Sequence, residues 1–326
     1  MTGRLPHVRW LALRLGSAVI TLLGVSILVF AAMHVVPGRY DELLLGPQGL
    51  PERRAAIAAQ FGLDRPLPEQ YVRWLGATLS GDLGVSMGTK EPVRDEFIRR
   101  APVTIQLTLM ATALSLLIGL PAGAAAAFGS TRRLGAGLGR LLGATGLSMP
   151  DFVLGSVLVV VFSTNVLGPT VGGFVPFFQD PIANLRATIL PALTISGFGA
   201  ALVIRTTRDA VLSALTEPYV LAAVARGQRP RTIILRHVVR NSAIPVLTVV
   251  ATTVGYLLGG SVIVEQLFGI PGFGNYVLSA VQHRDYAVVQ AGALIAASIF
   301  VVINMLADVS YAWIDPRIAV TQTETR

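Results

Sequence analysis

Four histidines, one lysine and no cysteine make up most of the reactive inventory of this 326-residue chain, and their spacing works against chemistry. His7, His34, His237 and His283 lie far apart, and no H-E-x-x-H pair sets two imidazoles on one helix face. Without cysteine there can be no disulfide, no thiolate metal site and no cysteine nucleophile. A phosphate cradle of the G-x-x-x-x-G-K-[ST] kind needs a lysine that reaches the β- and γ-phosphates. Lys90 is followed by Glu91, so that cradle is absent. No G-x-S-x-G nucleophile elbow is expected either. The chain is therefore read as having no catalytic residue, no metal ligand and no cofactor of its own. One carboxylate stands out: Asp151, next to Pro150 inside an apolar run. It should face other helices or a wet path, and Pro150 should kink the helix that carries it. The blander alternative is an interfacial carboxylate that stabilises the kink.

Charge gathers in one stretch, Thr216 to Pro245, between two long apolar runs. From Arg205 on, Arg205, Arg208, Arg226, Arg229, Arg231, Arg236 and Arg240 face only Asp209 and Glu217. The stretch reads as two short helices. Thr216 is suited to cap the first and Pro218 to open it, since proline lacks only an N–H that would be unsatisfied anyway. Gly227 is suited to end it in the left-handed conformation. Pro230 then opens the second, with Ile233, Ile234 and His237 on one face and Arg236 and Arg240 on another.

The elements around this stretch are membrane spans. The chain is 53% hydrophobic and 13% charged, against about 25% charged in soluble domains. Its net charge of +8 comes almost wholly from arginines spread over many loops, which argues for topology and against nucleic acid binding. The run Leu15 to Val36 is longer than the ~7–15-residue core of a signal peptide, so it is expected to stay as a first span. Residues 37–102 are polar, proline-rich and placed outside, with short helices at 51–61, 68–79 and 92–100. Further spans are expected at about 103–128, 141–167, 187–205, 243–264 and 287–313. Six spans put both termini inside, along with Arg132, Arg133, Arg140 and the 205–240 cluster, which fits the positive-inside rule. The fold class is an all-α integral membrane protein in one domain, residues 1–326. Its 37–102 segment lies outside and its 205–242 loop lies in the cytoplasm.

On the residues alone three classes stay open. One is the membrane half of an ATP-driven importer, whose rigid basic loop docks on a separate ATPase. The second is a secondary transporter or channel, which commonly shows an internal repeat and ionisable groups near the midplane. The third is a membrane-embedded enzyme, which needs a cluster of catalytic residues.

Leu221-Ala222-Ala223, three residues, then Gly227 resembles the E-A-A-x-x-x-G loop of ABC importer permeases, with Leu221 in place of the glutamate. Tyr219 to Pro245, ending RHVVRNSAIP, is similar to the dipeptide, oligopeptide and nickel permeases. So are Gly62 to Ser86, Pro92 to Leu109, Glu265 to Tyr286 and the LADVSYAWIDPR ending. At the end of the first span the family often has Pro-Gly-Asp-Pro, where this chain has Pro37-Gly38-Arg39-Tyr40. The resemblance implies a type I ABC importer permease of six transmembrane helices, in the bacterial inner membrane. It implies as partners a second, homologous permease, two ATPase subunits that bind ATP and Mg, and an extracytoplasmic substrate-binding protein. It implies di- or oligopeptides as cargo, with nickel complexes or haem as alternatives. It also assigns ATPase coupling to Tyr219, Leu221, Ala222, Ala223, Gly227, Arg236 and His237. Ala222 and Ala223, being small, would then allow close approach to the ATPase.

Overall fold

A computed structural model describes residues 5–35, 52, 64–128, 149–163 and 169–314. The expected helix at 51–61, Arg132, Arg133 and Arg140, the Pro37–Tyr40 departure, both ends of the third span and the Asp315-Pro316-Arg317 ending fall mainly or wholly outside those residues. The described residues are helical almost throughout. In chain order the helices are α1 (Leu5–Val35), α2 (Leu67–Leu79), α3 (Val93–Phe128), α4 (Asp151–Phe162) and α5 (Pro181–Leu215). They continue with α6 (Pro218–Ala225), α7 (Pro230–Ile233), α8 (Val239–Leu267), α9 (Phe273–Gln282) and α10 (Tyr286–Ile314). Among the described residues five stretches are long and apolar enough to cross a membrane: Ala12–Val35, Val93–Phe128, Pro181–Leu215, Pro230–Leu257 and Tyr286–Leu306. The shorter apolar α4 occupies the middle of the third expected span.

Several boundaries differ from those expected. The fourth span is part of a helix of 35 residues, not the 19 expected from 187 to 205. Asp180 starts it early by accepting from the Ile182 and Ala183 amides, with Pro181 at the first helical position. At its other end the helix runs on past Arg205 and Arg208, because Val211 and Ala214 are buried there. The expected 205–242 loop thus begins as helix. Thr216 does not cap α6: its hydroxyl donates back to the Ser213 carbonyl, and Glu217 precedes the helix without a side-chain cap. Nor does Pro150 kink a helix. It lies at the start of α4 in extended conformation, and its carbonyl accepts from the Val153 amide. Pro230 does open a helix, but α7 passes through a π turn, Ile234–Val238, straight into α8.

The chain divides into two compact units. The larger comprises Val103–Asn275 and Val302–Arg326. Within it α5 is the central helix: 72% of its most apolar window is buried, against 11% to 33% for the other four spans. Leu107 and Ala111 of α3, Leu190 and Ile195 of α5, and Leu257 and Val264 of α8 form the core with Phe268 and Ile270, and Leu158, Val159 and Phe162 of α4 pack on it. Contact between helices in lipid relies on close packing, which small residues allow. Gly123 of α3 shows this, since a Cβ there would stand 2.7 Å from the Ile204 carbonyl oxygen.

The smaller unit comprises Met1–Pro102 and Tyr276–Val301. Its α2 lies on α1, where Phe30 meets Tyr71 and Trp74 with ring centroids 5.4 and 5.7 Å away, and the Ser26 and Tyr71 hydroxyls are 2.7 Å apart. His34 stays in this polar rim, near the Phe30 carbonyl and 3.3 Å from the Gln70 amide oxygen. Further along, buried Glu96 accepts from Arg100 at 2.7 Å, and the Arg100 guanidinium stands 4.7 Å over the Tyr276 ring. Burial pushes the Tyr276 phenol above its usual range.

Candidate functional site

The basic stretch folds as a shaped surface with an inner and an outer side. On the inner side Val220 and Ala223 of α6 join Ala127, Val211, Ala214, Ile233 and Val238 in a second buried cluster. Ala223 is fully buried. This corrects its expected place at the partner contact: its small side chain lets α6 lie close on the chain's own helices. Ala222 is half-buried. Leu221 and Val224 point out, each 59% exposed, with Tyr219 beside them at 37%.

The turn after α6 is a Schellman motif. Gly227 has φ +69°, its amide donates to the Val224 carbonyl at 2.9 Å, and the Gln228 amide donates to the Ala223 carbonyl at 3.2 Å. A Cβ on Gly227 would meet nothing within 4 Å, so only the backbone conformation calls for glycine. The side chain of Gln228 then joins the two short helices, with its Oε1 3.3 Å from His237 Nε2. The His237 ring centroid stands 6.2 Å from that of Tyr219. Arg226, Arg229, Arg231, Arg236 and Arg240 are exposed, and none forms an ion pair among the described residues. The result is an apolar patch with a basic rim. Of the seven expected coupling residues, Tyr219, Leu221 and Arg236 lie open, Ala222 and His237 lie partly open, Gly227 shapes the turn and Ala223 lies beneath.

A second constellation was hidden in residues that read as an outer loop. Glu265 belongs to the last turn of α8 and is fully buried. Its carboxylate accepts from the Thr104 hydroxyl at 2.6 Å, the Ser261 hydroxyl at 3.3 Å and the Asn275 amide at 2.8 Å. Thr104 in turn accepts from the Phe273 amide at 2.8 Å. A side chain at Gly272 would overlap that carboxylate. Thus α3, α8 and the start of α9 are tied through one acid. The sequence signal was there: a glutamate four residues after a serine, followed at short range by Pro271-Gly272-Phe273-Gly274.

Asp151 is the first residue of α4 and half-buried, and its carboxylate makes no ion pair or side-chain hydrogen bond among the described residues. The Tyr256 ring lies against Phe198 of α5, with centroids 4.8 Å apart and the planes tilted by 40°.

Gly84-Val85-Ser86-Met87-Gly88 spells G-x-S-x-G, contrary to the expectation that no such pattern occurs. The geometry is not that of a nucleophile elbow. Ser86 is 2% exposed and donates to Asp285 at 2.6 Å, with no histidine against it. Asp285 also accepts from the Gly88 amide at 3.2 Å, so the serine fixes a turn. Among the described residues no group of three or more His, Asp or Glu could hold a metal ion.

Comparison with known proteins bears on the whole chain. Residues 119–320 match the family of binding-protein-dependent transport system inner membrane components, and residues 7–108 match the N-terminal domain of the same kind of component. The chain is 35% identical over 334 aligned residues to the dipeptide transport system permease protein DppB of Escherichia coli K12, covering 94% of this chain and 97% of the relative. It is 38% identical over 307 residues to the glutathione transport system permease protein GsiC of Salmonella typhimurium, with the same coverage of both.

Proposed function

The chain belongs to the binding-protein-dependent transport system inner membrane components, the permeases of ABC importers, and from that premise we propose that it is half of the translocation path of a di- or oligopeptide importer. The observation that carries the reading is the patch of Tyr219, Leu221 and Val224 inside a rim of exposed arginines that form no ion pair among the described residues. Such a surface fits an apolar pocket with an acidic edge on an ATPase subunit. ATP and Mg belong to two such subunits, while a second permease completes the path and a substrate-binding protein delivers cargo from outside. In this reading both termini and the 205–242 stretch are cytoplasmic, the membrane is the bacterial inner membrane, and the permease itself does not hydrolyse ATP. The peptide class rests on the relatives, whose names give dipeptides and glutathione.

The test is uptake by proteoliposomes that hold the complete complex and its binding protein. ATP-dependent accumulation of small peptides is expected, with peptide as the ligand that mass spectrometry finds on the purified binding protein. A nickel complex or haem in place of peptide would keep the architecture and overturn the cargo.

A further inference from the structure

Thr112 of α3, Thr188 and Thr194 of α5, and Thr248 and Thr252 of α8 each return the hydroxyl to the carbonyl four residues earlier, at 2.7 to 3.1 Å. Thr108 of α3, Thr207 of α5 and Thr253 of α8 do not. Their hydroxyl oxygens are buried and have no hydrogen-bond partner among the described residues. A buried hydroxyl without a partner lowers stability. Three of them on the same set of packed helices, beside five that are satisfied within their own helix, call for a cause.

The surroundings of Thr253 supply one. A Cβ on Gly199 of α5 would stand 2.6 Å from the Ser115 hydroxyl oxygen and 2.9 Å from the Thr253 methyl, so side chains of α3 and α8 meet at one glycine notch. Thr253 turns its methyl to that notch. Ser115 turns its hydroxyl there and donates to the Ser196 carbonyl at 3.1 Å, while its oxygen keeps lone pairs that can accept. A donor without an acceptor and an acceptor with room for a donor thus flank the same point. Both residues line a narrow gap with Thr112, Leu116, Val203 and Val250, so the packing of the three helices is incomplete there. Threonine in a helix has two ready χ1 states, and one staggered step puts its hydroxyl where its methyl stands. Thr207 repeats the pattern, with its Cβ 2.7 Å from the place of a Cβ on Gly123 of α3.

We propose that α3, α5 and α8 have a second packing in which Thr253 donates to Ser115, and that the transport cycle passes through it. Thr253 is then a positioning residue for the change between states. The inference rests on the reading of the chain as an importer permease, and not on the cargo. A permease that exposes its path to each side in turn holds two packings of its helices, and packed helices exchange such arrangements by shifts of about 1–2 Å. A hydroxyl that lacks a partner in one packing and has one in the other favours the second by the worth of one hydrogen bond. The glycine notch lets the helices make that shift without a side chain in the way.

The test uses the assembled complex with its ATPase subunits and reads the ATP concentration at which vanadate traps half of it, which requires no cargo. Thr253→Val keeps the shape of the side chain and removes the hydroxyl. It should shift that concentration roughly fivefold, the worth of one ordinary hydrogen bond, while Thr253→Ser stays near wild type. The direction of the shift tells which state holds the bond. Ser115→Ala should shift it the same way, and the double variant should shift it little further, since both changes remove one bond. Thermal unfolding of Thr253→Val should fall in only one of the two states, nucleotide-free or trapped. No shift in Thr253→Val, an equal shift in Thr253→Ser, or additive shifts in the double variant would each overturn the proposal. So would equal losses of stability in both states, or a Thr253→Val complex that fails to assemble, since the hydroxyl would then have a partner in both packings. A wild-type complex in which these shifts are found but no peptide is imported would condemn the peptide reading and spare the second packing.

Discussion

Leu221 and Ala223 are two positions apart on α6 and face opposite ways, so they give opposite experiments. Ala223→Leu adds bulk to a filled space inside the permease, which typically costs ~1–3 kcal/mol. The expected outcome is a lower unfolding temperature of the isolated permease. Leu221→Ala removes an exposed side chain and leaves that core alone. If Leu221 is buried on docking, the loss is up to about 2 kcal/mol, or roughly thirtyfold in association. Co-purification of the ATPase should then fall while the permease unfolds as before. An unchanged Leu221→Ala complex would remove Leu221 from the contact. Glu265 gives a third test at this scale. Glu265→Ala leaves the Thr104 hydroxyl and the Asn275 amide without their acceptor, at about 1–3 kcal/mol for each buried group left unpaired. Glu265→Gln keeps one of the two acceptor oxygens, which Thr104 and Asn275 use separately, and should keep part of the stability. Thermal unfolding in detergent compares the two, and equal losses would mean that the charge matters more than the acceptor.

At the scale of elements, the turn at Gly227 separates shape from charge. Open space surrounds the missing Cβ, so bulk is not the obstacle there. Gly227→Val resists φ +69° and should cost about 1–2 kcal/mol or more. Gly227→Asn accepts that conformation and should cost less. A complex that assembles with Asn and falls apart with Val would show that the turn aims α6 at the ATPase. Equal assembly would leave the stretch as a basic orientation signal. Pro218, Gly227 and Pro230 were legible in the sequence because each acts through its own backbone. Thr216 was not, since the same hydroxyl that can cap a following helix can equally return to the preceding one, and only packing decides. The continuation of α5 past Arg205 was hidden for a related reason: Val211 and Ala214 gain their burial in a cluster with Ala127 of α3, Val220 and Ala223 of α6, Ile233 of α7 and Val238 of the π turn, none of which belongs to α5.

For the whole molecule, the all-α membrane class and the order of the five spans among the described residues could be read from composition and run length, while the ABC permease fold class rested on the resemblance of stretches such as Tyr219 to Pro245. What could not be read was pairing across the chain. Glu265 and Thr104 are separated by 161 residues, Asp285 and Ser86 by 199. A carboxylate beside glycines reads as a surface loop until its donors arrive from another segment. Orientation remains a prediction of charge. Cysteines introduced singly should react with an impermeant reagent only from inside at Gln228 and only from outside at Asp180. Labelling of Gln228→Cys in intact cells would reverse the topology. The purified permease alone should show no ATP hydrolysis and no saturable micromolar nucleotide binding, because its sequence holds no G-x-x-x-x-G-K-[ST] stretch.

The π turn at Ile234–Val238 has a consequence for phase. A π turn holds one more residue than the α turns on either side, and each residue of an α-helix advances the helix by about 100°. Removing one residue, Leu235 for instance, would let α7 and α8 join as plain α-helix. A π turn and an α turn each complete one full turn, so everything before the junction would keep its facing relative to the span. The same deletion within the plain α-helix of α8 would instead rotate everything before it by about 100°. The wide turn therefore acts as slack in the joint, a place where the chain can shorten by one residue while the patch keeps its direction.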